Sequence, residues 1–278
     1  MKPPPFEYHA PETVERTLEL LARGDGARVL AGGQSLVQLM KFRLARPSVL
    51  VDVNGVPGLD AIEERDGELH VGALVRQQRL LEDELVARDW PLLRDATQYV
   101  GYRATRHRGT IGGSLAFAAP WAELTAAAVA LDAAIDVRSA RGERTIQARS
   151  FFRGPNETAL EADELLTRVR FPAPAARSGA AFHEVSARYR DYAQVAAAAV
   201  VSLDGTAELV LLRMADTPHR IDAAAALEDV SAVDHLLASL EPADDIEVSA
   251  AYRRRVAPVL ARRALEEATE RAREKESP

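Results

Sequence analysis

Two glycine-rich segments constrain this chain more than any other feature: Ala31-Gly32-Gly33-Gln34-Ser35 and Gly109-Thr110-Ile111-Gly112-Gly113-Ser114. The first stands between a short strand candidate, Arg28 to Ala31, and a helix candidate from Ser35 to about Leu44. The second lies ahead of another helical segment. Glycine has no Cβ, so the main chain there can take positive φ and be approached closely. Adjacent amides at a helix start point outward with partial positive charge, which suits a phosphate. Gln34 and Ser35 add side-chain donors, and Thr110 and Ser114 stand beside the second set of glycines. Two such turns can hold one pyrophosphate from two sides. Taken singly, each reads equally as turn punctuation, since turns are where glycine normally sits. Neither segment fits the G-x-G-x-x-G dinucleotide fingerprint or the P-loop. Ser35 and Ser114 lack the G-x-S-x-G frame of a nucleophile and read as hydroxyl donors.

The surrounding pattern is mixed. Ala10 to Glu15 reads as an acidic helix start, continued by Val14, Leu18 and Leu21 to Arg23 and stopped by Gly24-Asp25-Gly26. The strand at Arg28, the glycine turn, the next helix and the β-branched strand Val49 to Val53 make a small βαβ-like unit. Further on come a strand at Leu69 to Val75, a helix at Arg76 to Arg88 and a helix opened by Trp90-Pro91 through Val100. A loop spans Gly101 to Ser114, and a strong helix former covers Trp121 to Ala134. Two strands flank Ser139 to Gly142, and Leu165 to Phe171 reads as another. Pro172 to Gly179 is the best linker candidate. Beyond it, strands at Ala193 to Leu203 and Ala207 to Met214 join through Asp204-Gly205, a hairpin signal, and the charged, alanine-rich tail from Ala223 is helical. The class is α+β in two pieces.

Composition excludes several chemistries. The 278 residues carry a net charge of −7, so no global basic field exists for nucleic acid. There is no cysteine, which rules out disulfides, thiolate zinc sites, a cysteine nucleophile and an iron–sulfur cluster held by this chain. Six scattered histidines contain no i, i+4 pair, so no metal site is expected. No apolar run reaches the ~18 residues of a membrane span, and the Met1-Lys2-Pro3-Pro4-Pro5 start lacks a signal core. A cytoplasmic protein is expected.

Read in order, these segments resemble the FAD-binding medium subunit of the molybdenum hydroxylases, the carbon monoxide dehydrogenase and xanthine dehydrogenase group. The resemblance is carried by Phe6 to Pro11, Leu30 to Leu36, Arg43 to Pro47 with Leu50 to Val53, Val71 to Leu74 and Arg106 to Ser114. It continues through Asp163 to Leu166, Asp191-Tyr192-Ala193 and Tyr252 to Arg255, nearly the whole chain. It implies a two-lobed FAD-binding domain of the vanillyl-alcohol-oxidase-like (PCMH) type over 1–175, with lobes of about 1–55 and 56–175. A smaller C-terminal α+β domain of the carbon monoxide dehydrogenase flavoprotein kind would cover 176–278. The implied cofactor contacts are Ala31, Gly32, Gly33, Gln34, Ser35 and Leu36, then Thr110, Ile111, Gly112, Gly113 and Ser114. Asp163, Leu165 and Leu166 follow, with Tyr192 as the ring near the isoalloxazine.

The sequence departs from the family pattern around the second turn. Phe117 and Ala119 replace a histidine and an aspartate, His107 stands for an asparagine, Tyr102 for a histidine, and Arg190 for the glycine before Asp-Tyr. Arg103, Arg106 and Arg108 either counter the pyrophosphate or line a surface loop. The resemblance implies an oxidoreductase subunit that passes electrons from a partner iron–sulfur small subunit and molybdopterin large subunit, through FAD, to NAD, a quinone or oxygen. Two alternatives stand beside it: a stand-alone FAD-dependent oxidoreductase acting on a small substrate, and a non-catalytic scaffold that has lost the flavin.

Overall fold

The structure, a computed structural model, describes residues 2–24 and 26–275; Asp25, in the expected helix stop, lies outside them. The chain starts with β1 (Glu7–His9), α1 (Val14–Leu21), β2 (Ala27–Leu30), α2 (Leu36–Lys41) and β3 (Val49–Asp52). The three strands form a parallel sheet in the order β1-β3-β2. Parallel neighbours need a crossover, and the glycine turn with α2 supplies it, as the βαβ reading expected. The Thr13 hydroxyl accepts from the Arg16 amide at 3.1 Å and starts α1, which buries Leu18, Leu20 and Leu21 against Val49 and Val51.

A second unit follows. It comprises β4 (Ile62–Arg65), β5 (Glu68–Gly72), α3 (Gln77–Glu82), α4 (Glu84–Asp89), α5 (Pro91–Tyr99), α6 (Arg103–Arg106), α7 (Ile111–Phe117) and α8 (Glu123–Ala130). After these come β6 (Ala134–Ser139), β7 (Gly142–Gln147), α9 (Ala148–Phe151), β8 (Phe152–Gly154), β9 (Glu157–Thr158) and β10 (Leu165–Phe171). An antiparallel sheet runs β4-β5-β10-β6-β7, and β8 pairs with β9.

The last unit is the antiparallel sheet β11 (Ser178–Ser186), β12 (Ala193–Ser202), β13 (Thr206–Leu212) and β14 (His219–Asp222). A short 3₁₀ turn at Ala224–Leu227, then α10 (Ala232–Leu237) and α11 (Ala250–Glu274), complete the chain. Strand residues alternate between faces, and β12 shows what that does here. Ala196 and Ala198 join the core of the second unit, while Val195, Ala197, Ala199 and Val201 join the core under α11. Alanines on both faces let helices approach from both sides: α8 packs on one face of β12 and α11 on the other. α8 is buried at every position, as an all-round apolar helix must be.

Several expectations are corrected. The segment 101–114 is not a loop, because α6 and the start of α7 lie within it; the Thr110 side chain caps α7 by accepting from the Gly113 amide at 3.0 Å. The single helix 76–88 is two, broken at Asp83, whose carboxylate caps α4 by accepting from Leu85 and Val86. The strand at Leu69 ends at Gly72. The linker stops short of Ser178 and Gly179, which open β11, a strand without a sequence signal. Its Gly179 is required by packing, since a Cβ there would overlap the Ala268 carbonyl of α11. The tail is not continuously helical: 238–249 separates α10 from α11. No helix among the described residues is long and apolar enough to cross a membrane.

Gly179→Val should therefore force α11 off β11 and destabilise the protein by at least about 1–3 kcal/mol. The check is a lower urea midpoint at unchanged slope.

Candidate functional site

The two glycine turns, more than seventy residues apart in sequence, touch. A Cβ on Gly32 would overlap the Arg108 carbonyl and lie 2.9 Å from the Gly109 Cα. A Cβ on Gly109 would lie 2.8 Å from the Gln77 Cδ, and one on Gly112 would lie 2.7 Å from the Ala73 Cβ. Gly32 and Gly112 allow main chains to pack together, and Gly109 makes room for the Gln77 side chain. They are not themselves open to a ligand.

A polar network laces the contact. One Arg76 nitrogen donates to the Arg108 carbonyl at 2.6 Å and another to Asn54 Oδ1 at 2.7 Å. Asn54 in turn donates to the Ala31 carbonyl at 2.9 Å and to Asp52 Oδ1 at 2.6 Å, and the Tyr8 hydroxyl donates to Asp52 Oδ2 at 2.7 Å. Burial works to raise the Asp52 pKa, but the hydrogen bonds from Asn54 and Tyr8 and the charge of Arg108 outweigh it and hold the carboxyl below its usual range. A cleft of about 240 Å³, lined by Asn54, Val56, Asp60, Leu74, Val75 and Arg76, opens beside this network.

What remains for a ligand is the far side of the first turn. Gly33 sits at φ 71°, the left-handed region that glycine tolerates. Among the described residues, the amides of Gly33, Gln34 and Ser35 donate to no other group, and the Ser35 hydroxyl makes no capping bond to α2. Three half-exposed, unengaged amides beside a hydroxyl are the donor set a phosphate takes, so the residues fit the diphosphate of a dinucleotide. The second turn differs. The amides of Ile111 and Gly112 donate to the Val75 and Ala73 carbonyls at 3.1 and 3.0 Å. Those of Gly113 and Ser114 donate to the Thr110 hydroxyl and carbonyl, both at 3.0 Å. This turn thus offers the small profile of Gly113 and the Ser114 side chain, with the amides of Ile111 to Ser114 already engaged.

The other expected contacts divide. Leu36 is half-exposed at the start of α2. Leu165 is buried in the core that Ala31 also packs against, and Leu166 in the core of the second unit. Asp163 is held at the surface by Arg141, with one oxygen 3.2 Å from Nη2. Tyr192 is 58% exposed and stacks on Trp121, ring centroids 4.9 Å apart. Of the arginines, Arg106 is buried and donates to the Val100 and Gly101 carbonyls and to Gln78, a structural use. Asn54, Arg76 and Trp121 escaped the sequence reading, because a lone asparagine or arginine outside a motif gives no signal.

Two acids were also missed. Glu123 opens α8 and is 7% exposed; Glu184 lies on β11 with both carboxyl oxygens buried and without hydrogen-bond partners. Other acids away from solvent have arginines: Glu164 pairs with Arg144 at 2.6 Å and the half-buried Asp95 with Arg271. Among the described residues Glu123 and Glu184 form no ion pair. Burial pushes Glu123 up to about 8, and burial with the facing Glu123 pushes Glu184 up to about 9.

Residues 4–174 match the family described as the FAD binding domain in molybdopterin dehydrogenase. The chain belongs to this family and is an FAD-dependent oxidoreductase subunit. It is 39% identical to the 6-hydroxypseudooxynicotine dehydrogenase complex subunit alpha of Paenarthrobacter nicotinovorans, over 98% of this chain and 97% of that one. It is 35% identical to the carbon monoxide dehydrogenase medium chain of Afipia carboxidovorans, over 98% and 99%. Among solved structures, carbon monoxide dehydrogenase from Hydrogenophaga pseudoflava superposes with a TM-score of 0.91 at 34% identity, covering 98% of this chain and 99% of that one.

Two outcomes follow. Gly32→Ala should separate the turns, cost about 1–3 kcal/mol and abolish copurifying visible flavin absorption, whereas a folded, yellow variant would show that the contact is dispensable. Glu184 in the folded protein keeps its proton up to about 9, while in the unfolded chain it releases it near the ordinary 4.5, so stability falls as pH rises between those values. Glu184→Gln should flatten that fall, raising the melting temperature over the wild type more at pH 9 than at pH 5.

Proposed function

We propose that this chain is the flavin subunit of a cytoplasmic molybdenum hydroxylase, assembled with an iron–sulfur small subunit and a molybdopterin large subunit. Its division would be an FAD-binding domain over 1–175, in lobes of about 1–55 and 56–175, and a C-terminal domain over 176–278. The observation that carries the reading is the contact of Gly32 with Arg108, which fixes the first turn from behind while the amides of Gly33, Gln34 and Ser35 stay unengaged among the described residues. Gly33, Gln34 and Ser35 would donate to phosphate oxygens, with Ala31, Gly32 and Leu36 shaping the strand-to-helix turn. Thr110 to Ser114 would back that turn; Leu165, in the core that Ala31 packs against, would give an apolar wall, with Leu166 anchoring the strand behind it in the core of the second unit. Tyr192, braced by Trp121, would flank the ring end, and Asp163 would stand at the rim, held by Arg141.

Bound FAD accepts electrons one or two at a time and passes them on, which is the chemistry this chain does not itself contain. The residues here orient and screen; none acts as acid or base on the organic substrate. An absence of cysteine suits that division, because clusters must then reside on a partner.

The test is tagged purification of the full chain expressed with its gene neighbours. Flavin, iron and molybdenum in one complex are expected, and substrate should bleach the flavin. A complex without flavin, or turnover by the isolated flavin-loaded chain with no partner, would overturn the proposal.

A further inference from the structure

Arg190 occupies a costly position. Its φ of 62° lies in the left-handed region, where a side chain crowds the main chain and glycine is favoured. Its guanidinium carbon stacks 4.9 Å above the Tyr189 ring, yet its Nε is buried with no hydrogen-bond partner. Two other arginines share positive φ: Arg213, whose Nε is also buried and unmet, pairs through another nitrogen with Asp245, and Arg43 lies at the exposed end of α2. What separates Arg190 from Arg213 is that, with the same strain and unmet Nε, it forms no ion pair among the described residues. Buried donors left unmet are uncommon in folded proteins, and a strained residue with one points to an absent partner.

The surroundings are cationic and aromatic. Arg106 lies close enough to Arg190 and Arg103 that, after burial, their charges lower its pKa. Arg103 donates to His107 at 3.0 Å, and neither Arg103 nor Arg106 forms an ion pair among the described residues. The nearest acid in sequence, Asp191, lies 3.8 Å from Arg188 and accepts from the Tyr192 amide at 3.0 Å. Tyr102 and Tyr189 are 61% and 76% exposed, and the Tyr102 hydroxyl donates to the Tyr189 carbonyl at 3.3 Å, tying two loops into one platform. In a chain of net charge −7, the Arg103 and Arg190 guanidiniums, neither in an ion pair among the described residues, stand beside two open rings and form a local site for an anion with a planar group.

We infer that Arg190, Arg103 and the Tyr102–Tyr189 platform bind an oxyanion-bearing electron acceptor, its phosphate or carboxylate on the guanidiniums and its ring on a tyrosine. The inference rests on the flavin reading above, because Tyr192, two residues beyond Arg190, is the ring placed there beside the flavin. Arg106 positions the loop through the Val100 and Gly101 carbonyls and does not itself need to reach the anion.

The experiment uses the assembled complex, wild type and Arg190→Gly. Glycine is at ease at this φ, so the variant should melt no lower than wild type and keep its flavin. Calorimetric titration with inorganic pyrophosphate and, separately, with oxalate should show binding weakened about tenfold or more by the substitution. The two anions distinguish a diphosphate-bearing acceptor from a carboxylate-bearing one. The ratio of KM for NAD to KM for an uncharged quinone should rise by a similar factor, and Arg190→Lys should restore part of it. Unchanged anion affinity in a folded, flavin-loaded Arg190→Gly complex would overturn the site alone. A wild-type complex without flavin would instead bring down the electron-transfer reading.

Discussion

The contact on which the rest depends is between two stretches of main chain. The Gly32 Cα abuts the Arg108 carbonyl with no room for a Cβ, and Arg76 bridges from that carbonyl to Asn54, which holds the Ala31 carbonyl. Because the first turn is fixed from behind in this way, its outer amides are presented without a protein partner. A preorganised donor set spares the ordering cost that a mobile loop would incur on binding a phosphate. The parallel and antiparallel sheets thus meet partly through backbone, where Gly32 leaves no room for a side chain, and partly through the core that joins Leu18, Val49 and Val51 to Leu74 and Leu165.

The two turns look alike in sequence and do different work. Both set glycines beside hydroxyls, and the sequence pattern is that of two turns holding one pyrophosphate from two sides. In the fold, Thr110 turns its hydroxyl inward to cap α7, and the amides that follow it bond to Ala73, Val75 and Thr110. The first turn enters a helix whose Ser35 makes no such cap. The difference lies in the partner segment: 73–77 runs beside the second turn and takes the amides of Ile111 and Gly112, while among the described residues no segment takes those of Gly33, Gln34 and Ser35.

Burial of uncompensated charge separates structure from function elsewhere too. Arginines neutralise Glu164 and Asp95, so Glu123 and Glu184, in no ion pair among the described residues, stand out at the junction where α8 meets the C-terminal sheet. Removing two carboxyls from water without cations raises their proton affinity, and the pair can remain there only by staying protonated. Glu123 follows Trp121 by two residues, so this junction continues from the ring that braces Tyr192.

By itself the sequence determined the βαβ unit at residues 28–53, the hairpin through Asp204-Gly205 and the collinear motifs that place the chain in its family. Each of these is a local pattern, set by the period of apolar residues or by what glycine permits. Only the tertiary structure decided that Gly32 serves packing while Gly33 faces outward, that β11 begins inside the apparent linker, and that Asn54 and Arg76 join the site. It also decided that Arg190 is held in a strained conformation. Those facts depend on which distant segments meet, and close approach between main chains leaves no repeating mark on the residues that make it.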